Sequence, residues 1–383
     1  MTSLSILDLA PIPSGGTAGE ALRNTLDLAR RAEEFGYLRY WVAEHHLAPG
    51  VASAAPAVLI GLVAAATSTI RVGSGAVQVG HQTALSVVEQ FGLVDALYPG
   101  RVDLGLGRSG RRGAELRATV ELSESEERIS TSPTPARIVD GLLIPEPFSF
   151  AALVKSPLFS LYGALLQQPG AQSPDFADQV DEIAALLAGT YRSPEGVVAH
   201  AVPGEGADLR LWILGSSGGQ SAQVAGERGL PFAANYHVSP SGVLDAAQAY
   251  REAFKPSEVL SEPYLIVSAD VVVAEDDERA RDLASPYGLW VRSIRTGAGA
   301  IPFPTPAEAA AHEWTQEDLA LVADRLATQF VGSPRTVVEK LRVLRDVTGA
   351  DELLITTMTH DHADRVRSYE LLAAEWEGGV VTG

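Results

Sequence analysis

A chain of 383 residues with 46% hydrophobic and 20% charged residues has enough apolar material for a large α/β core. Its formal charge of −19 argues against a general phosphate-backbone partner such as nucleic acid, and the absence of cysteine excludes disulfides, thiolate metal sites and cysteine nucleophiles. The start, MTSLSILDLAPIPSGG, has no basic segment followed by a long apolar run, and the apolar stretch 56–66 is too short to cross a bilayer, so the expectation is a soluble, cytoplasmic protein.

In chain order, LSILDLAPI (4–12) predicts a first strand, and AGEALRNTLDLARRAEEFG a helix with Leu22, Leu26, Ala29, Ala32 and Phe35 on one stripe and Gly36 as its stop. YLRYWVAEHH (37–46) predicts a second strand, and AAPAVLIGLVAAAT a helix with Pro56 in its first turn. IRVGSGAVQV (70–79) is β-branched as expected of a strand covered on both faces; ALSVVEQFGLVDAL is helical and stops at Tyr98-Pro99-Gly100; RVDLGLG (101–107) is the next strand. Four strands alternating with three helices in about a hundred residues is barrel or doubly wound spacing.

The rhythm breaks over 111–172, where ELRATVELSESEERIS is compatible with a helix and the rest is apolar and punctuated by proline. An insertion after a fourth strand would lie over a barrel mouth and shape substrate access. The pattern resumes with a helix over 176–187, a hairpin-like VVAHAVPGEGADLRLW, and strands at 209–215, 230–237, 264–275 and 351–359, each followed by a helix. Eight such units predict a (β/α)8 TIM barrel with an insertion after strand 4, as one domain over residues 1–383.

Ligands bind at the carboxyl ends of strands in such folds, which directs attention to three places. Gly105, Gly107 and Gly110 match a dinucleotide fingerprint, but on a fourth strand and running into RSGRRGAEL rather than a helix; Arg108, Arg111 and Arg112 put charge there instead. Ser216-Ser217-Gly218-Gly219-Gln220-Ser221 enters a helix and suits a monophosphate cradle, with helix capping by the serines as the alternative. Glu44-His45-His46 ends the second strand and suits acid–base or cofactor contacts; alternation puts the two rings on opposite faces, and a metal site would need His360 or His362 as a further ligand.

WVAEHH, VASAAPAVLIGLVAAATSTIRVGSGAV, VVEQF, YPGRVDLGLGR, LWILGSS with QSAQVAGERGLPF, and DELLITTMTHDHADRVRSYELLA together resemble the bacterial luciferase-like monooxygenase superfamily, in its single-chain flavin-dependent group. The resemblance covers most of the chain outside 111–172. It implies a barrel that binds reduced FMN delivered by a separate reductase, adds O2 at flavin C4a, and oxidises a small organic substrate through the peroxy adduct. It implies His45 as the catalytic histidine near the flavin, a non-proline cis peptide at Gly75-Ala76 beneath the isoalloxazine ring, and a phosphate site at Arg108, Ser217, Gly218, Gly219 and Ser221. The luciferase α subunit has a cysteine where this chain has Gly107, a departure from the light-emitting members. The rivals to FMN-dependent oxygenation are an F420-dependent hydride-transferring oxidoreductase on the same fold and a flavin-binding protein without turnover. Relatives often pair through their first helices, so a homodimer or larger homo-oligomer is expected, and the loop 295–306 is a candidate lid.

Overall fold

The computed structural model describes residues 2–108, 135–149, 153, 156–168 and 170–378. Strands β1 (Ser3–Asp8), β2 (Arg39–Val42), β3 (Arg71–Ser74) with its continuation β4 (Val77–Gln78), and β5 (Val102–Gly107) follow one another around the barrel. Beyond the antiparallel hairpin β6 (Arg137–Val139) and β7 (Leu142–Ile144), it continues with β8 (Arg210–Gly215), β9 (Phe232–Asn235) and β10 (Leu265–Val273). After β11 (Phe330–Gly332) on the far end of β10, β12 (Glu352–Thr356) closes the ring on both β10 and β1. The result is a closed eight-stranded parallel barrel, β1-β2-β3-β5-β8-β9-β10-β12, and all eight strands expected from the sequence are present.

Local chemistry accounts for the helices between them. Thr17 and Glu20 form a reciprocal capping box at the start of Ala18–Glu34, whose Ala21, Leu28, Ala29 and Ala32 face the barrel. Pro56 opens Pro56–Ala66, Thr83 caps Ala84–Leu97, and Gly349, in the left-handed region, ends Pro334–Thr348.

The lower barrel is filled by an ionic layer rather than aliphatic side chains alone. Arg39 bridges Asp103 at 2.8 Å and Glu352 at 3.1 Å, Arg71 holds the other Asp103 oxygen at 2.7 Å, and Trp41 Nε1 donates to Asp103 at 3.0 Å. Removing one partner would leave another charge buried and unpaired, so this layer resists single substitutions poorly. It plugs the amino-terminal end and leaves the carboxyl-terminal end for the site.

Three expectations need correction. The hairpin-like segment before β8 reduces to one antiparallel bridge, Arg192 with Val198, because 199–209 is turn and loop. The proline-punctuated part of the insertion contains a helix, Pro157–Leu166, with Pro157 at its first position and Ser156 capping it, where proline starts rather than breaks a helix. The β6–β7 hairpin and β11 were not expected, being three residues each. The possible helix at 115–130 lies outside the described residues, as do Gly110, Arg111 and Arg112.

Candidate active site

At the carboxyl ends of the strands, two adjoining cavities of about 270 and 420 Å³ share Leu7, Ala43, His45, Gly75, Asn235 and His237 as walls. The smaller is completed by Gln78, Gly107, Arg108, Gly215 and Ser216 and is the more polar; the larger runs up between Leu9, Val51, Leu158, Trp290 and Met358.

The floor is built from glycines where the strands approach closely. The Gly75-Ala76 peptide is cis, at the position expected, and separates β3 from β4. A Cβ on Gly105 would lie 2.1 Å from Ser74 O, so that glycine lets β5 pack on β3. This packing role accounts for a glycine that a dinucleotide-turn reading would have assigned to a ligand.

His45 lies past the end of β2, which stops at Val42. Its backbone N–H donates to Ser53 O at 2.9 Å, while its Nδ1 is buried with no partner among the described residues. Burial, and then the neighbouring His46, push the His45 ring down to about 4, so it is neutral near pH 7. The expected opposition of His45 and His46 fails because the chain leaves extended pairing after Val42: both rings reach the larger cavity. His46 pairs with Glu44 at 2.7 Å, and the other Glu44 oxygen accepts from the Gln78 backbone at 2.9 Å.

His360 and His362 turn to Ser14 O (3.1 Å) and Asp27 (2.9 Å). Among the described residues no group of three or more His, Asp or Glu side chains gathers as metal ligands.

The phosphate-cradle residues divide. Gly219 is the N-cap of Gln220–Glu227 and has no side chain with which to cap that end. The positive end of the helix dipole lies at this turn. Arg108 Nη1 donates to Gln220 Oε1 at 2.9 Å, and Gln220 Nε2 reaches Asp175 at 2.8 Å, which brings Arg108 to this helix end. Ser217 is exposed, Ser221 is buried, and a Cβ on Gly218 would sit 3.0 Å from Asp245 O; of the cradle run it is Ser216, not among the contacts the resemblance implied, that lines the cavity.

Sequence reasoning also missed His237, at the end of β9. Its Nδ1 lies 2.6 Å from Ser268 Oγ. Burial pushes this ring down to about 4, with Asp270 opposing the shift and Arg325 and His45 adding to it. The rule that flagged His45, a histidine at a strand's carboxyl end, would have found it.

The rim has two halves. The loop 295–306 lies there as expected, pinned by backbone bonds: Gly50 N–H to Ala300 O at 2.7 Å, Phe303 N–H to Ile12 O and Ser14 N–H to Phe303 O, both at 2.8 Å. The described part of the insertion, with Ser173 just past it, supplies the other half through side chains. Tyr162 donates to Gln78 at 2.7 Å and packs edge-on against His46 and His81, and Ser173 donates to Gly80 O at 2.7 Å.

A parallel barrel with a histidine-bearing, glycine-floored cavity at its carboxyl end, bordered by an arginine and a helix start, is an enzyme-like site on a TIM barrel. The chain belongs to the luciferase-like monooxygenase family, whose model matches residues 2–130 and 159–352. It is 38% identical over 380 residues to an uncharacterized Bacillus subtilis (strain 168) protein, YvbT, covering 98% of this chain and 97% of that one. It is 36% identical over 370 residues to a luciferase-like monooxygenase of Escherichia coli (strain K12), covering 96% and 95%. The crystal structure of apo-MsnO8 matches with a TM-score of 0.78 at 30% identity, covering 98% of this chain and 99% of that chain.

Proposed function

We propose that this chain is a monooxygenase that uses reduced FMN and O2 to oxidise a small organic substrate, with the flavin supplied by a separate reductase. The observation that carries the reading is that Arg108 and Ser216 border the same cavity as His45 and the cis Gly75-Ala76 peptide. A phosphate end and a ring end thus belong to one space. The residues fit the cofactor: a helix start with a glycine N-cap and an arginine beside it suits a monophosphate dianion, and a floor of Gly75 and Ala76 suits a flat ring. Bound reduced flavin supplies the electrons that activate O2.

The chain's own residues do the rest. Arg108 and the first-turn amides of Gln220–Glu227, with Ser217, Gly218, Gly219 and Ser221 shaping the turn, anchor the phosphate. His45, neutral and with an open ring nitrogen, holds or moves a proton at the ring edge. The apolar wall of Leu7, Leu9, Val51 and Met358 keeps water from the reacting edge.

The test is anaerobic titration with reduced FMN and, separately, reduced F420, followed by O2. Tighter binding of reduced FMN and O2 consumption above the enzyme-free rate are expected. Tighter F420 binding with anaerobic hydride transfer would replace the reading, and an enzyme-free rate of O2 consumption would reduce it to flavin binding without turnover.

Pairing of two copies through the second and third helices is part of the proposal. Val58, Leu62, Leu93 and Leu97 there are each more than half exposed, a cluster unusual on a monomer surface. Leu93→Glu is expected to shift the sedimentation coefficient from dimer to monomer; a monomeric wild-type protein would contradict the pairing.

A further inference from the structure

The larger cavity is mostly apolar, and besides its histidine edge it carries one buried ion pair. There Asp270, in the middle of β10, receives Arg325 Nη2 at 3.1 Å and the Tyr287 hydroxyl, and Arg325 Nη2 also contacts that hydroxyl. Arg325 comes from the helix Gln316–Thr328 and Tyr287 from Tyr287–Arg295, and the Tyr287 ring stacks on Trp290 at 6.0 Å. The guanidinium borders the cavity and is 7% exposed. Both of its hydrogen bonds run through Nη2, so its Nε has no partner among the described residues.

That unmet donor has company. Trp290 Nε1 and Thr356 Oγ1 are also buried without partners, and both residues line this cavity. Nε of arginine and Nε1 of tryptophan can only donate, and a threonine hydroxyl donates readily. Buried donors without acceptors are costly, so a cavity whose lining residues carry three of them is complementary to a ligand that brings acceptor atoms.

The charge balance narrows the ligand further. The Asp270 carboxylate faces the Arg325 guanidinium, burial above all keeps Tyr287 a neutral phenol, and His45 and His237 are neutral near pH 7. The wall therefore has donors but no net positive charge. An anion entering it would lose hydration without an uncompensated cation in return, whereas an uncharged acceptor would not.

We propose that Arg325, positioned by Asp270 and Tyr287, is the specificity-determining residue of the apolar half of the site and receives the carbonyl-type oxygen of an uncharged, largely apolar substrate. Asp270 and Tyr287 are positioning residues: they orient the guanidinium and cancel its charge. The proposal rests on the monooxygenase reading for what happens to that substrate, but not for its binding.

The experiment measures binding of three probes, 2-heptanone, its carbon isostere 2-methyl-1-heptene, and heptanoate, to flavin-free and FMN-loaded protein. In the wild type the ketone is expected to bind about tenfold tighter than the alkene, the scale of one hydrogen bond from a charged donor, and tighter than heptanoate. Arg325→Met alone leaves Asp270 buried and unpaired, so the decisive variant is Asp270→Asn with Arg325→Met. It should bind ketone and alkene within about twofold of each other, with alkene affinity at the wild-type level and FMN affinity showing an intact fold. A wild type that binds the alkene as well as the ketone, or heptanoate more tightly than either, overturns the proposal without any variant. A ketone preference that survives in the double variant also overturns it. If FMN fails to bind while the Arg325-dependent preference persists in flavin-free protein, the cofactor reading fails and the substrate assignment stands.

Discussion

Arg108→Ala is expected to raise the dissociation constant for FMN roughly 10- to 100-fold while changing that for riboflavin by less than about threefold. The selectivity follows from what Arg108 reaches. Its Nη1 lies on Gln220, the first residue of the helix Gln220–Glu227, so the guanidinium stands where a phosphate at the start of that helix would meet it. A hydrogen bond from a charged donor contributes about 1.5–3 kcal/mol, which sets the scale of the loss. Riboflavin has no phosphate and would not register the change. Parallel titration of the two ligands by flavin fluorescence decides the matter, and equal losses would contradict the assignment of the phosphate end.

His45→Ala should leave FMN affinity within about threefold of wild type and lower oxygen transfer by roughly 10² to 10⁴, the range for removing a positioned acid–base group. Transfer is read by mass spectrometry on thioether and ketone probes. The pH dependence has a definite sign. Burial and His46 hold the folded-state ring at about 4, against an ordinary value of 6.5, so the ring is neutral throughout pH 6–8 and its titration places no inflection in the rate there. Activity that depends on the neutral ring falls only as pH drops toward 4. The same shift means that the unfolded chain takes up this proton first: stability linked to His45 is present above about pH 6.5 and is lost as pH falls through 4. Acid unfolding should therefore be less steep in His45→Ala, and a large loss of FMN binding in that variant would make His45 a cofactor anchor instead.

The barrel was legible because its strands are covered on both faces and its helices on one, which imposes different periods on the sequence. Stretches such as YLIVSADVVV and ARRAEE could hardly be confused. Position at a strand's end drew attention to Glu44-His45-His46, but the choice of His45 and the cis peptide at Gly75-Ala76 came only through resemblance to a family, since a histidine at a strand end has several ordinary uses. The face relation of His45 and His46 was misjudged because a strand ending at Val42 and one continuing to His46 look alike in composition. Arg325 was missed for another reason: an arginine in an amphipathic helix reads as solvated until a partner helix is laid over it. Asp270 did leave a trace. All nine residues of β10 are buried, and a carboxylate in such a run demands a partner. The sequence could have flagged the need for that partner but not its address, 55 residues away.

The two halves of the rim are fastened by different means, and that bears on how such an enzyme diversifies. Main-chain bonds join the loop 295–306 to the first and second βα loops, so most substitutions there leave the fastening unchanged. Among the described residues, the insertion is tied down by individual side chains such as Tyr162 and Gln167. A few replacements on that side can retune which molecules enter while the opposite wall and the barrel beneath it stay as they are. The molecule thus separates a chassis fastened by its main chain from an aperture set by single side chains.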